Sequence, residues 1–230
     1  MNLADILSKV AQPPKGHFQS FFGSSAEKAI RAIVARLPDA VSPRHLTWLG
    51  VGGGIVAAVA LLASRQSFAW TPLIPIGVFL NWLGTSLDGP LARARHLERP
   101  SQGLLDHSAD LGTQLLIILA FGFSPFFSLA SAAVVLACYL LYSSYTYIRA
   151  TARVPGQMAY IGIGTTEFRA MLAVWPFIAI ALGIDERGAS GLTKLDEVVI
   201  ALGSVTVAGL IVKIVLDARK IALTQGKRDF

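Results

Sequence analysis

Three aspartates lie close together in a chain that is otherwise strongly apolar. Asp88 ends one apolar run, and Asp106 and Asp110 begin the next. Asp106 and Asp110 are separated by one helical turn, so on a helix they project from the same face. Carboxylates beside a bilayer are costly unless a positive partner neutralises them. The sequence therefore predicts that the three side chains converge on a bound cation.

The ligand types indicate which cation this is. Oxygen ligands favour Mg²⁺, Mn²⁺ or Ca²⁺ over metals that prefer thiolates. A divalent ion held by a few carboxylates keeps open positions for phosphorylated substrates. Beside Asp88, Gly89 permits close approach of a ligand, Ala92 is small, and Arg93 offers a guanidinium to phosphate. In the competing interpretation the aspartates form salt bridges with neighbouring arginines; three aspartates at these spacings favour the metal site.

The elements that position these residues are predicted to be membrane-spanning helices. Of the 230 residues, 53% are hydrophobic and only 15% are charged, and the mean hydropathy is +0.58. We expect an all-α, polytopic membrane protein with six transmembrane helices, because its apolar runs approach the ~20 residues that cross a bilayer. Glycines in the first span favour close helix packing. The predicted spans are 46–64, 70–88, 103–123, 125–148, 168–183 and 195–217.

An amphipathic helix is predicted ahead of the spans, over residues 24–37. Its pattern fits a helix on the cytoplasmic membrane surface or one packed on the protein itself. Residues 1–41 thus form a cytoplasmic lead, 42–220 the membrane domain and 221–230 a cytoplasmic tail. Lys and Arg concentrate in one set of loops, so both termini and segment 89–102 are predicted to be cytoplasmic. The expected location is the inner membrane of a bacterium or archaeon.

The charge balance and the cysteine content exclude other classes of protein. The net charge of +6 is assigned to the cytoplasmic face near anionic lipid. Because no basic patch interleaved with aromatic residues is present, nucleic-acid binding is not predicted. The single cysteine, Cys138, lies in an apolar run, which excludes a role for disulfides within the chain.

The spacing around the aspartates resembles a family signature. The CDP-alcohol phosphotransferase family carries D-x2-D-G-x2-A-R-x8-G-x3-D-x3-D over its second and third transmembrane helices. Here "DGPLAR" (88–93) matches the middle of the signature, and Asp106 and Asp110 fall at its third and fourth aspartates. Two further stretches, "SPRHLTWLG" (42–50) and "GTTEFR" (164–169), are similar to that family. The resemblance includes the six-helix architecture.

Two positions depart from the signature. Thr85 replaces the first aspartate, and Gln102 replaces the motif glycine, with Gly103 next to it. The resemblance, which covers about residues 42–217, implies that the first three aspartates hold the metal or metals and that the fourth, Asp110, is the general base. The Thr85 hydroxyl can still coordinate a cation weakly.

The resemblance implies an enzyme of phospholipid biosynthesis. It would transfer a phosphatidyl or related phosphate group from a CDP-linked donor, such as CDP-diacylglycerol, to an alcohol acceptor and release CMP. Relatives are commonly homodimers, so a homodimer is expected. The residues expected to bind Mg²⁺ or Mn²⁺ are Thr85, Asp88, Asp106 and Asp110, and those expected to contact the nucleotide and its phosphates are Gly89, Ala92, Arg93 and Gly103.

Several alternatives stay open. Glu167 and Arg169 either border the acceptor pocket or are a helix-start carboxylate and an arginine reaching towards the interface. Asn81, one helical turn before Thr85, is a further candidate oxygen ligand. Because Thr85 removes a carboxylate, the chain is either a divergent catalyst or a silent relative that binds CDP-lipid or nucleotide, or partners an active enzyme. A transporter is disfavoured because the aspartates lie near one membrane face.

Overall fold

A computed structural model describes residues 23–98, 100–151, 164–183 and 192–225, and every regular element within those ranges is helical. The helices are α1 (Gly23–Val34), α2 (Pro43–Ala63), α3 (Leu73–Ala94), α4 (Pro100–Gly122), α5 (Leu129–Thr151), α6 (Thr165–Leu182) and α7 (Lys194–Gln225). A short 3-10 helix, Phe68–Trp70, lies between α2 and α3.

Five of the described helices are long and apolar enough to cross a membrane. They are α2, α4, α5, α6 and α7, whose most apolar windows have mean hydropathies between 1.3 and 2.4. Helix α3 has 22 residues, but the polar side chains of Asn81, Asp88 and Arg93 lower its hydropathy. The chain therefore has the all-helical architecture that the sequence predicts and the apolar helices expected of an integral membrane protein.

Helix α3 packs most extensively on α2, and glycines make the close approach possible. A Cβ built on Gly53 would lie 2.4 Å from the backbone nitrogen of Asn81, and one on Gly84 would lie 2.4 Å from that of Gly50. Contacts of this kind let helix backbones approach within a membrane. The packing role predicted for the glycines of the first span is confirmed at Gly50 and Gly53.

The remaining long helices surround this pair. Helix α4 lies on α2, α6 lies against α3, and α5 contacts both α4 and α7. Between them, Leu61, Ile74, Ile117 and Phe121 form the centre of a fully buried apolar cluster. Only 11% of the most apolar window of α7 is buried, so this outer helix presents a face suited to lipid.

Helix α1 packs against the protein through its apolar face. Ile30, Ile33 and Val34 contact the buried cluster formed by Leu46 and Leu87 with Leu91. The helix ends at Val34, three residues earlier than predicted, because the chain turns before a proline that disfavours helix in the preceding residue. Of the two alternatives for this amphipathic segment, the contacts support packing on the protein itself.

Candidate functional site

Helices α3 and α4 bring polar side chains together at three successive levels, counted from the turn that joins the two helices. The residues recur every three or four positions on each helix, so each set lies on one helical face. The first level consists of Asp88, Asp106 and Thr47; the second of Thr85, Asp110 and Arg169; and the third of Asn81, Thr113 and Gln114.

At the first level, two carboxylates face one hydroxyl. Thr47 Oγ1 lies 2.8 Å from Asp106 Oδ1 and 3.4 Å from Asp88 Oδ2. Asp88 is buried and its Oδ1 accepts from the backbone nitrogen of Gly89 at 2.6 Å, while Gln102 donates to Asp106 at 2.7 Å. The hydroxyl carries a single proton and therefore satisfies only one carboxylate at a time. The predicted convergence of Asp88 and Asp106 is thus present.

The first level fits a hard divalent cation. Among the described residues, no Lys, Arg or His forms an ion pair with Asp88 or Asp106. The buried Asp88 carboxylate and the half-buried Asp106 carboxylate have no cationic partner there, so they repel each other and are costly in a low dielectric. Their oxygens, with the hydroxyl of Thr47, form the hard donor set that Mg²⁺ and Mn²⁺ prefer, and they leave coordination positions open.

Asp110 does not join this pair. Its carboxylate forms an ion pair with the Arg169 guanidinium, which also donates to Thr85 Oγ1 at 2.8 Å. Thr85 in turn donates to the carbonyl oxygen of Asn81 at 3.0 Å. In the described part of the chain, no three metal-ligating carboxylates, histidines or cysteines come together.

The structure thereby separates the expected metal ligands. Arg169 contacts both Thr85 and Asp110, and a fixed guanidinium repels a metal ion. These two residues therefore do not share a metal ion with Asp88 and Asp106. Thr47, which sequence reasoning missed, completes the first level. The available signal for it was a polar residue in an otherwise apolar first span, just after the helix start at Ser42 and Pro43.

The third level is a closed amide network. Asn81 is fully buried and donates from Nδ2 to the carbonyl oxygen of Gly50 at 2.9 Å and to Thr113 Oγ1 at 3.1 Å. Its Oδ1 accepts from Gln114 Nε2 at 2.9 Å. Both polar atoms of the Asn81 amide are therefore used in joining α2, α3 and α4, and the amide supplies no oxygen to the first level.

The residues expected to contact nucleotide and phosphate occupy different surroundings. Ala92 is buried, and Arg93 is exposed beside Gly89, where its Nη1 lies 3.5 Å from the position of an added Cβ. A Cβ on Gly103 would meet nothing within 4 Å, so packing does not require a glycine there. Gly89 and Arg93 therefore flank the first level directly, at the end of α3.

In the competing interpretation, Arg95 and Arg99 near the end of α3 would form salt bridges with the aspartates. Arg95 donates instead to the carbonyl oxygens of Leu37 and Pro38 and lies 3.8 Å from a carboxylate oxygen of Asp39. Its guanidinium therefore holds the segment before α2 against the end of α3. Arg99 lies outside the described residues.

Glu167 and Arg169 perform separate roles at the start of α6. Glu167 is buried and accepts from the backbone nitrogen of Gly164 at 2.9 Å, so it caps the helix. Arg169 belongs to the second level. An apolar groove of about 410 Å³ starts at Glu167 and follows α6 past Trp175 to Ile178. The helix-start role considered for Glu167 is thus observed.

Comparison of the chain with models of known protein families matches none of them, and comparison with curated proteins also finds no match. The resemblance to the CDP-alcohol phosphotransferase family therefore depends on the motif residues alone, in 42–50, 85–110 and 164–169.

Proposed function

We propose that the protein is a membrane-bound CDP-alcohol phosphotransferase. It transfers a phosphatidyl or related phosphate group from a CDP-linked lipid to an alcohol acceptor and releases CMP. The observation that carries the proposal is the first level, where Asp88 and Asp106 face Thr47 without a cationic side chain from the described residues. This arrangement suits a divalent ion and a phosphorylated substrate at the end of α3.

Asp88, Asp106 and Thr47 would hold Mg²⁺ or Mn²⁺. When bound, this ion supplies charge neutralisation for a pyrophosphate and for the transferring phosphorus. Arg93 is exposed beside Gly89, so its guanidinium binds a donor phosphate while the glycine leaves room for the nucleotide.

Asp110 would accept the proton of the acceptor hydroxyl. Arg169 contacts its Oδ1, while Oδ2 makes no hydrogen bond to any described residue. The side chain of Asp110 remains 26% exposed, so an acceptor alcohol can reach it. A carboxylate positioned in this way is a general base. The apolar groove along α6 suits an acyl chain of the lipid donor.

The membrane arrangement belongs to the same proposal. Helix α3 would also cross the bilayer and would bring the number of spans to six. Its polar residues are turned towards α2 and α4 and are thereby shielded from lipid. With six crossings, both termini would lie on the same side of the membrane. The Lys/Arg-rich loops assign that side, with α1 and the site, to the cytoplasmic face of a bacterial or archaeal inner membrane. A homodimer follows from the family resemblance.

The test is a screen for CMP release by purified protein in lipid nanodiscs. CDP-diacylglycerol and other CDP-alcohols are combined with a panel of alcohol acceptors over a titration of Mg²⁺ and Mn²⁺. We expect metal-dependent CMP release that Asp106→Asn abolishes and Arg65→Gln, at an exposed turn, leaves unchanged. Failure of every donor and acceptor to yield CMP would rule out the enzyme.

A catalytically silent binding protein is the second candidate, and one observation favours it. The second level has threonine in place of a carboxylate at position 85, and Arg169 neutralises Asp110. This candidate predicts binding of CDP-lipid or metal without CMP formation. CMP release that Asp110→Asn abolishes would eliminate it.

A further inference from the structure

We infer that Arg169 is a built-in second cation of this site, so that the site takes one divalent ion rather than two. The inference deepens the proposed function and rests on its metal-binding part, but it does not depend on turnover.

The geometry separates two cation positions along α4. Asp106 and Asp110 lie one turn apart on the same helical face, yet Asp106 faces Thr47 and Asp110 faces Arg169. The guanidinium bridges Asp110 and Thr85, so it already occupies the space between α3 and α4 at the second level. A metal ion at this position would have to displace it.

Arg169 is fixed in this position by the start of α6. The residue is only 6% exposed, and its helix begins at the Gly164–Glu167 cap. One turn away, Trp82 Nε1 lies 3.4 Å from Thr166 Oγ1 and joins α6 to α3. The guanidinium is therefore a constant part of the site, because a long side chain held at both its base and its tip cannot swing into solvent.

The charge count agrees with a single metal ion. Asp88, Asp106 and Asp110 contribute three negative charges and Arg169 one positive charge, which leaves two negative charges for one divalent cation to neutralise. A second ion would leave an excess positive charge in a low dielectric, which is unfavourable.

An unpartnered atom indicates that Arg169 also faces a ligand. Its Nε is buried and has no hydrogen-bond partner among the described residues. Buried donors are normally satisfied, and a guanidinium matches phosphate or alkoxide oxygens. Arg169 thus acts as a positioning residue that holds Asp110 and offers one further donor to a substrate oxygen.

Mn²⁺ binding, followed by electron paramagnetic resonance on protein in lipid nanodiscs, tests the inference without requiring activity. We expect about one Mn²⁺ per chain in the wild type, with the spectrum of an isolated ion and not that of a coupled pair. Thr85→Asp should still bind about one, because the new carboxylate pairs with Arg169. Thr85→Asp combined with Arg169→Met should bind about two, because the guanidinium is gone and two carboxylates remain at the second level.

The controls keep the outcomes separate. Arg169→Lys keeps a cation and should bind about one Mn²⁺, as should Arg65→Gln. A coupled-pair spectrum or two ions in the wild type would overturn the inference even if the double variant fails to fold, and so would a folded double variant with one ion. Absence of Mn²⁺ binding would overturn both the inference and the metal site, whereas one bound ion without CMP release removes only the proposed enzyme.

Discussion

The chemistry of the three aspartates depends on whether a cationic side chain lies beside each carboxylate. Asp88 and Asp106 are drawn to one hydroxyl and lack a cationic side chain within the described ranges, whereas Asp110 has a buried guanidinium. Carboxylates that differ in this way serve different purposes, because the first two need an external cation and the third is already neutralised. The proposed metal binding and the proposed proton transfer therefore belong to separate levels.

Thr47→Val should weaken metal binding by about tenfold or more. The substitution keeps the shape of the side chain but removes the hydroxyl that lies between the two carboxylates, and loss of such partners commonly costs 10–100-fold in affinity. Titration with Mn²⁺ measures the change. Thr71→Val is the matched control, since Thr71 is also buried and its hydroxyl has no partner among the described residues. Equal affinity of the two variants would remove Thr47 from the site.

The aspartates could be predicted from the sequence, but which side chains they pair with could not. Spacing along one helix fixes which residues share a face, so Asp106 and Asp110 were recognisable. Thr47 and Arg169 reach the site from α2 and α6, and the pattern within a helix does not say which neighbour its polar face meets. For that reason a single cluster of three carboxylates was expected, whereas the structure divides them between the first and second levels.

At the scale of elements, glycine contacts hold the site-bearing helix in place. Gly84 on α3 meets Gly50 on α2, next to Thr85 and one turn before Asp88. Backbone contact at this point sets the distance between Thr47 and the carboxylates. The long apolar helices were predictable from hydropathy, although observed boundaries differ by several residues because caps such as Ser42 with His45, and not hydropathy, decide where a helix starts.

Gly84→Ala should destabilise the protein by about 2 kcal/mol, because overpacking a tight contact typically costs 1–3 kcal/mol. The added Cβ would lie 2.4 Å from the backbone nitrogen of Gly50, where no side chain can move aside. Gly52→Ala on the same helix pair adds a Cβ that meets nothing within 4 Å, and it should not destabilise. Reversible unfolding in mixed detergent micelles measures both; equal stability of the two variants would contradict the close contact.

A buried carboxylate joins the N-terminal ends of α5 and α7. Asp196, at the start of α7, accepts from the Ser128 backbone nitrogen at 2.7 Å, from Ser131 Oγ at 2.6 Å and from Thr193 Oγ1 at 2.8 Å. Asp196→Ala should lower the free energy of unfolding by about 3 kcal/mol, since it leaves the buried Ser131 donor and two partly buried donors unpaired. Ser204→Ala, exposed on the same helix, should have little effect in the same unfolding measurement. Similar stability of the two would show that this junction contributes nothing.

The whole molecule combines a polar column with an apolar exterior. The first, second and third levels lie one after another along α3, starting at its C-terminal end. The surrounding helices present large apolar side chains outwards. Such a column is stable in a membrane only when helices enclose it, which explains why α3, which carries Asn81, Thr85 and Asp88, contacts α2, α4 and α6.

The proposed orientation predicts which turns are accessible from outside the cell. In a Cys138→Ser background, Gln66→Cys lies in the exposed turn after α2, and Glu98→Cys lies in the exposed segment after α3. A membrane-impermeant maleimide applied to intact cells should label the first and spare the second, and lysis should expose both. Labelling of position 98 in intact cells would contradict a cytoplasmic site.

The central claim is that Asp88 and Asp106, and not Asp110, hold the divalent ion. Its most direct test is Mn²⁺ binding to the wild type and to Asp88→Asn, Asp106→Asn and Asp110→Asn, each in the same nanodiscs. We expect the first two variants to lose binding and Asp110→Asn to retain it with near wild-type affinity. Retention of Mn²⁺ by Asp88→Asn and Asp106→Asn, or its loss in Asp110→Asn alone, would contradict the claim.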